Sequence, residues 1–423
     1  MTQSIAVIGS GMAGLAAAHH CRQAGYHVTI FEAQDHHGMD AHAMALDGGL
    51  VDVPLRVMSA SAWQRVLSLA HKVGVDTFDV KTYVSCSWDD QTTWFRSGRI
   101  PVLGTPFVGS MKYLNGDALV MAKGLAQLHR ITRHLSRFDS SLTLAALLGR
   151  EPFDPRFWRG LVLPLLTTIC TCDEKHLMAW PAAQLLSLLD TILHGGGLRR
   201  LKGGTSALVK GLSEGVPTYS GSPVTRVALT SGHSGQSAPS VMVSNEKGEG
   251  GRFDRVIVAT QANQLDFLDQ DAFAEERQVL SDIPFDDGVL WVHRDPRFMP
   301  LHKRDWTALN FQSDRGLEKP MFTVWVNAVE PSLLGKPPVF QTWNPLFEPA
   351  PETVLARVPL QRAVVNHRNQ RVHEKLHAWH SDPKRRVFFC GAWAYEGVPL
   401  LESAARSGAA VVAALQRQEM PAT

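Results

Sequence analysis

Three glycines and one carboxylate near the start of the sequence have the types and spacing of a nucleotide-binding turn. Gly9, Gly11 and Gly14 fit the pattern G-x-G-x-x-G, and Glu32 closes the same stretch. In such a turn the first glycine makes the tight bend, the second lets the backbone approach a pyrophosphate, and the third lets a helix pack closely on a strand. A carboxylate at Glu32 would accept hydrogen bonds from a ribose diol and would repel the 2′-phosphate of NADP.

The elements around these residues are the ones that such a turn requires. Residues 5–8 form a short apolar run typical of a buried parallel strand, and residues 12–24 are rich in Ala and predict a helix that Gly25 ends. Residues 27–32 predict a second strand. The start of the helix would offer free N–H groups and a partial positive charge to the phosphates. The alternative to nucleotide binding is a glycine-rich turn in a similar sheet that binds no ligand.

The residues after Glu32 bear on the choice between NAD and FAD, which the glycine motif leaves open. FAD enzymes usually continue with several residues and then a Gly-Gly pair, whereas this sequence has Gly38 followed by Met39. Met39 is therefore a departure from the FAD pattern, because a bulky residue could change how the backbone passes the diphosphate.

Composition limits the classes of protein that the chain can belong to. A length of 423 residues favours two domains, and a net charge of +2 gives no global field for nucleic acid. The five cysteines are scattered, so we expect reduced thiols in a cytoplasmic protein, and the Cys170-x-Cys172 spacing is too close for a zinc site. Residues 161–172 are apolar but too short to span a bilayer, so no transmembrane segment is expected.

The rest of the chain alternates between helical and strand-like segments. Helices are predicted at 61–75, 116–149 and 154–195, the last with interruptions at Pro164 and Pro181. A β-ribbon with a turn at Asp89-Asp90 is predicted at 83–100, a polar surface hairpin loop at 230–252, a dense apolar strand at 253–260, and β-rich structure at 281–345. Residues 385–416 predict a strand, a loop and a long Ala-rich helix. Nucleotide-type elements therefore occur at both ends and in the middle, which predicts a discontinuous nucleotide domain with an insertion.

Six segments carry a resemblance to a known family. The chain resembles the flavin-containing amine oxidoreductase superfamily, which includes monoamine oxidases, protoporphyrinogen oxidases and phytoene desaturases. Within it, the sequence is most similar to the predicted NAD/FAD-binding proteins associated with cyclopropane fatty acid synthases. The segments are AVIGSGMAGLAAA, VDVPLRVM, FWRGLVLPLLTTICTC, FDRVIVAT, VLWVHRDPRFMPLHKRDWTALNF and VFFCGAWAYEGVPLLESAARSGAAVVAAL.

The resemblance implies an α/β fold with a Rossmann-like FAD-binding domain, similar to p-hydroxybenzoate hydroxylase, and an inserted α+β substrate domain. The FAD-binding domain would comprise residues 1–60, 198–283 and 381–423. The substrate domain would comprise residues 61–197, mostly helical, and 284–380, rich in β-structure.

The resemblance also implies FAD as the cofactor and names the residues that would hold it. Val224 matches the strand residue whose backbone meets the adenine, and Gly391 matches a motif beside the flavin. Ala392 replaces an Asp of many relatives, so FAD would depend more on backbone contacts. Leu400 and Leu401 open a helix whose N–H groups would face the flavin pyrimidine edge, where reduced flavin carries negative charge. The expected cofactor-binding set is Gly9, Ser10, Gly11, Met12, Ala13, Gly14, Glu32, Ala33, Gly38, Met39, Val224, Ala259, Thr260, Gly391, Ala392, Leu400 and Leu401.

Catalytic side chains are weakly indicated, as expected if the flavin itself accepts a hydride. No local signature of nucleophilic catalysis is visible. Arg56, Trp306 and Tyr395 are candidates for the substrate side, with loop or core packing as the alternative for each.

These observations predict an FAD-dependent oxidoreductase that dehydrogenates or desaturates an apolar organic substrate, with a fatty-acyl lipid suggested by the resemblance. An amine oxidase, a carotenoid- or porphyrin-type desaturase, and a non-catalytic flavin-binding partner of an acyl-modifying enzyme are the alternatives. The expected partner is a small-molecule or lipid substrate and not nucleic acid. A basic amphipathic stretch at 118–137 leaves peripheral membrane contact open, and the oligomeric state is not indicated.

Overall fold

A computed structural model describes residues 2–99, 108–134, 141–194, 197–230, 239–366 and 368–419. The helices of these ranges follow one another along the chain as α1 (Met12–Gln23), α2 (Gln64–Lys72), α3 (Gly116–Thr132), α4 (Leu144–Arg150), α5 (Pro155–Phe157), α6 (Leu163–Cys170), α7 (Glu174–Met178), α8 (Ala182–His194), α9 (Gly204–Ser213), α10 (Ala274–Leu280), α11 (Arg368–Ser381) and α12 (Leu401–Glu419).

The strands of the same ranges form several sheets. They are β1 (Ser4–Ile8), β2 (His27–Phe31), β3 (Met44–Leu46), β4 (Gly49–Val51), β5 (Met58–Ser59), β6 (Thr77–Val80), β7 (Val84–Trp88), β8 (Thr93–Arg96), β9 (Leu198–Leu201), β10 (Thr218–Tyr219), β11 (Val224–Thr230), β12 (Ser240–Asn245), β13 (Gly250–Phe253), β14 (Arg255–Val258), β15 (Phe285–His293), β16 (Leu309–Ser313), β17 (Met321–Trp325), β18 (Phe340–Trp343), β19 (Val354–Ala363) and β20 (Val387–Phe389).

A parallel sheet brings distant parts of the chain together. Its order is β10-β2-β1-β14-β20, and its apolar central strands are almost completely buried. Strands from the start, the middle and the end of the chain therefore lie side by side, and their carboxyl ends meet at one edge. The chain has the mixed α/β topology expected from the sequence, while the exact domain boundaries stay a prediction.

The first and last helices pack against each other on one face of this sheet. A Cβ atom at Gly408 of α12 would lie 2.5 Å from the carbonyl oxygen of Ala13 in α1, so a side chain there would not fit. This close approach fixes the C-terminal helix against the helix that follows the glycine turn.

A larger sheet, ordered β19-β15-β18-β17-β16-β7-β8, forms the second layer. Its neighbours are antiparallel except for the parallel β16 and β7 pair. The predicted β-ribbon is present as β7 and β8, with its turn at Asp89-Asp90 as expected. Helices α3 to α8 share a hydrophobic core with this sheet.

Two expectations about local structure are wrong. Pro164 does not interrupt a helix. Residues 158–162 form a π-helical turn, and Pro164 lies in the first turn of α6, which follows it. A proline is tolerated in the first turn of a helix, because the backbone N–H that it lacks would have no partner within the helix there. The helical run instead ends at Thr171, which has a left-handed backbone with φ of 48°. The hairpin loop predicted over 230–252 is not all loop: it contains β12, which pairs antiparallel with β11, and the start of β13, because Val241 and Val243 alternate into the core. Residues 231–238 lie outside the described ranges.

The apolar side of the amphipathic stretch at 118–137 packs into the core. Met121, Leu128 and Ile131 of α3 are buried, and Leu125 packs against the same cluster. Residues 135–137 lie outside the described part of the chain. In the part that is described, none of the helices combines the length and the apolar character that a bilayer crossing requires.

Candidate functional site

The glycine turn leaves the N-terminus of α1 open. Gly9 has a positive φ of 96°, which favours glycine, and a Cβ at Gly14 would lie 1.9 Å from the carbonyl oxygen of Gly9. Gly11 is the N-cap of α1 and receives no side-chain cap, and no acidic residue lies in the first turn. A Cβ at Gly11 would meet no other atom of the described residues within 4 Å. The first N–H groups of the helix are therefore available to an anion.

Glu32 has a role inside the protein that the sequence did not indicate. It is only 7% exposed, and one carboxylate oxygen accepts hydrogen bonds from the backbone N–H of Ser10 at 2.8 Å and from its hydroxyl at 2.5 Å. The other oxygen accepts from the N–H of Gln34 at 3.0 Å, and the Ser10 hydroxyl accepts from the N–H of Gly38 at 3.1 Å. Glu32 thereby holds the glycine turn in place, beside its expected contact with a ribose.

The C-terminal part of the chain forms the opposite wall. Gly391 follows β20 in an extended conformation, and a Cβ there would lie 2.3 Å from the indole nitrogen of Trp393. That indole N–H donates to the carbonyl oxygen of Thr260 at 3.0 Å, just beyond β14. Trp393 therefore ties the end of β20 to the end of β14.

A cavity of about 460 Å³ lies between these walls. Several of the cofactor-binding residues expected from the sequence line it together, although they come from opposite ends of the chain. These are Gly11, Met12, Ala13, Gly38, Met39, Ala259, Thr260, Gly391, Ala392, Leu400 and Leu401.

The remaining expected cofactor residues lie around the lining. The glycine turn itself contains Gly9, Ser10 and Gly14, and Glu32 hydrogen-bonds to Ser10, as described above. Ala33 is exposed just beyond β2, and Val224 begins β11. Which of these residues contact a cofactor stays a prediction.

The cavity continues between the large sheet and α6. The apolar part of this wall consists of Leu165, Ile169, Leu290, Leu309, Phe322, Val324, Trp343 and Leu360. Its neutral polar part consists of Thr82, Thr168, Thr171, Gln341 and Gln361. Within the described residues, the charged side chains of the lining are Arg56 and Arg362, and no acidic side chain contributes to it.

Arg56 lies on the segment between β4 and β5, and the side chains of Gln341 and Arg200 hydrogen-bond to the backbone of this segment. The side-chain amide of Gln341 donates to the carbonyl oxygen of Asp52 at 2.7 Å and accepts from the N–H of Leu55 at 2.8 Å. The guanidinium of Arg200, which is 0% exposed, donates to the carboxylates of Asp52 and Glu330. The Nε–H of Arg200 also donates to the carbonyl oxygen of Arg56 at 3.3 Å.

The other two candidates from the sequence lie outside the described lining. The indole N–H of Trp306 donates to the carbonyl oxygen of Pro300 at 2.7 Å, and its ring packs against Trp325 and Phe340. The side chain of Tyr395 interacts with Arg406 and raises the pKa of that guanidinium. Sequence reasoning missed Arg362 and Arg200, since neither belongs to a recognisable motif.

Comparisons with known proteins identify similar sequences and similar folds. The family model described as flavin containing amine oxidoreductase matches residues 12–286. Among curated proteins, a 1-hydroxycarotenoid 3,4-desaturase from Flavobacterium sp. is 34% identical over 91 residues, which is 21% of this chain and 19% of the desaturase. The match therefore spans about a fifth of that relative.

Solved structures match the chain over nearly its whole length. A wild-type putrescine oxidase bound to putrescine has a TM-score of 0.67 at 14% identity, covering 99% of each chain. A CLA-producing fatty acid isomerase from P. acnes has a TM-score of 0.67 at 16% identity, covering 97% of this chain and 98% of the other. At these identities the likeness shows the fold.

Proposed function

The chain belongs to the flavin-containing amine oxidoreductase family, and from that premise we propose that it dehydrogenates or desaturates an apolar organic substrate. Its cofactor is FAD. The observation that carries the proposal is the continuous cavity, which extends from the open N-terminus of α1 to an apolar wall on the large sheet.

The residues of the glycine turn fit the diphosphate of FAD. The N-terminus of α1 has no side-chain cap, and the space where a Gly11 side chain would project is open. A diphosphate in that space would accept hydrogen bonds from the helix N–H groups and would be stabilised by the helix dipole. Glu32 would orient the turn and offer its remaining acceptor capacity to a ribose.

FAD supplies the acceptor for a hydride when it is bound. The start of α12, where Leu400 and Leu401 line the cavity, would stabilise negative charge on the flavin ring. Of the described residues that line the cavity, none is Asp, Glu, His, Lys or Tyr. We therefore assign these residues to substrate binding, orientation and the exclusion of water.

The charge of the cavity favours an apolar substrate over a cationic amine. Two arginines and no acidic side chain line the described cavity, so a protonated amine would meet repulsion. Leucine, isoleucine, valine and aromatic side chains suit a hydrocarbon. A fatty-acyl lipid is the substrate that we favour; the fatty acid isomerase of similar fold and the resemblance to proteins associated with acyl-modifying enzymes support this choice.

A desaturase of the carotenoid type is the second candidate. The 34% identity to a 1-hydroxycarotenoid 3,4-desaturase supports it, although that match covers only 91 residues. A long hydrocarbon would lie along the same apolar wall, so the two candidates differ in the substrate and not in the chemistry.

Anaerobic reduction of the bound flavin tests the proposal. Purified protein loaded with FAD is mixed without oxygen with fatty acids, carotenoids, porphyrinogens and primary amines, and flavin absorbance is recorded. Bleaching by a lipid or carotenoid and not by an amine is the expected result. Bleaching by amines alone would overturn the proposal, and bleaching by no compound or lipid extract would favour a non-catalytic flavin-binding partner.

A further inference from the structure

We propose that Arg56 and Arg362 form a subsite for the carboxylate of an otherwise apolar substrate. This inference deepens the proposed function and rests on it for the identification of the cavity as the substrate site. The two guanidinium groups come from different elements, a loop after β4 and the end of β19, and both line the same cavity.

Neither guanidinium forms an ion pair within the described residues. No hydrogen bond or ion pair from these ranges involves the side chain of Arg362, and the buried Nε of Arg56 has no hydrogen-bond partner there. Asp52 raises the pKa of Arg56 through its negative charge, but its carboxylate oxygens accept hydrogen bonds from Arg200 and Thr205 and not from Arg56. Among the described residues, no acidic side chain lines the cavity and no carboxylate hydrogen-bonds to either guanidinium.

Two like charges in a largely apolar cavity are costly unless an anion joins them. Burial and the nearby Arg362 lower the pKa of Arg56 to about 10, with Asp52 partly offsetting them, and burial also lowers the pKa of Arg362. A pKa of about 10 keeps Arg56 charged at neutral pH, and a guanidinium in general stays protonated in proteins. A carboxylate would restore electrical balance, and the planar guanidinium fork matches the two oxygens of such a group.

The surrounding structure holds both arginines in position. The loop that carries Arg56 is held by Gln341 on one side and Arg200 on the other. Arg362 lies in the register of β19 opposite Asp286 of β15, inside a long antiparallel pair. Rigid elements therefore present the two groups, as a binding subsite requires.

The neighbouring lining determines the rest of the preferred ligand. Leu360 and Trp343 belong to strands of the same sheet, and α6 contributes Leu165 and Ile169. A hydrocarbon chain would contact these side chains while its carboxylate faces the arginines. A neutral alcohol of equal length would bury the same apolar surface but would leave both charges unpaired.

The test measures binding to the FAD-loaded protein by calorimetry, with dodecanoate, dodecan-1-ol and dodecyl phosphate as probes. We expect dodecanoate to bind at least roughly tenfold more tightly than the alcohol. Arg56→Gln and Arg362→Gln should each weaken dodecanoate binding roughly tenfold to hundredfold and leave binding of the alcohol unchanged. Arg56→Lys and Arg362→Lys should retain part of the preference, because they keep the charge but lose the fork.

Arg357→Gln is the matched control, since Arg357 lies on the same strand, is exposed, and stacks its guanidinium 5.6 Å from the ring centroid of Trp291. It should bind dodecanoate like the unchanged protein. FAD content and circular dichroism of each variant show whether it is folded.

Equal affinity for dodecanoate and the alcohol, or loss of binding in Arg357→Gln as large as in the cavity variants, would overturn the subsite. Tighter binding of dodecyl phosphate by more than roughly tenfold would overturn its assignment to a carboxylate. Calorimetry measures binding without turnover. If dodecanoate binds through the two arginines but no substrate reduces the flavin, the proposed function is contradicted and the subsite is not.

Discussion

Replacement of Gly11 by Leu separates cofactor binding from folding. Gly11 has φ of −65° and ψ of −179°, which other residues adopt without strain, and within the described part of the chain a Cβ there would contact no atom within 4 Å. The folded apoprotein should therefore lose no more than about 1 kcal/mol of stability, the size of an N-cap effect. The new side chain would instead occupy the space assigned to the diphosphate.

The expected loss of FAD affinity follows from the contacts that the leucine would displace. A charge-assisted hydrogen bond contributes about 1.5–3 kcal/mol, and loss of one or two such bonds at the start of α1 amounts to about 3 kcal/mol. This corresponds to a Kd roughly a hundredfold higher. The Kd is measured by titrating apoprotein with FAD and following flavin fluorescence, and urea denaturation gives the unfolding free energy of the apoprotein.

Gly116→Leu is the control for this variant. Gly116 begins α3, and a Cβ there also meets no atom within 4 Å among the residues that the structure describes, but Gly116 is not part of the cavity lining. Its FAD affinity should be unchanged. Stoichiometric FAD binding by Gly11→Leu at the original affinity would refute the placement of the diphosphate, and so would an equal loss of affinity in Gly116→Leu.

Three further predictions concern stability, each measured by urea denaturation. Arg200→Met leaves two buried carboxylates without their shared partner, so the unfolding free energy should fall by about 3–5 kcal/mol; a change below about 1 kcal/mol would show that the ion pairs are not formed. Gly14→Ala should cost about 1–3 kcal/mol, because its Cβ would overlap the carbonyl oxygen of Gly9, and an unchanged stability would contradict the close packing of α1. Burial lowers the pKa of His293 to about 4 in the folded protein, whereas the ordinary pKa of histidine is 6.5. As the pH falls, the unfolded chain therefore takes up this proton before the folded protein does. The contribution of neutral His293 to the unfolding free energy is complete above pH 6.5, and up to about 3 kcal/mol of it is lost as the pH falls toward 4. His293→Gln should flatten the pH dependence in that window, and an unchanged slope would exclude this histidine as a source.

The sequence predicts the nucleotide-type elements well, because their signals are local. The glycine spacing, the apolar strand before it and the Ala-rich helix after it all depend on neighbouring residues, and the structure contains β1, α1 and β2 at these positions. The long C-terminal helix is likewise visible from its composition. The packing of this helix on α1 cannot be predicted in the same way, because the contact of Gly408 with Ala13 joins residues from the two ends of the chain.

The substrate side of the cavity is harder to predict, because it is assembled from distant segments. Arg362 lies in a strand with no motif, and it becomes important only because β19 brings it into the cavity with Arg56. The Ser10–Glu32 contact was also missed, although both residues belong to the recognised motif. The predicted interruption at Pro164 is wrong, because a π-helical turn precedes it and places the proline in the first turn of α6, where its lack of a backbone N–H breaks no hydrogen bond.

A crystal structure of the FAD-loaded protein would test most directly whether the two ends of the chain form one flavin site beside an apolar wall. The diphosphate should lie at the N-terminus of α1 next to Gly11, and the flavin ring should lie between Gly391 and the start of α12, open toward Arg56. Density for the ring outside this cavity, or a diphosphate bound elsewhere, would contradict the assignment of the site.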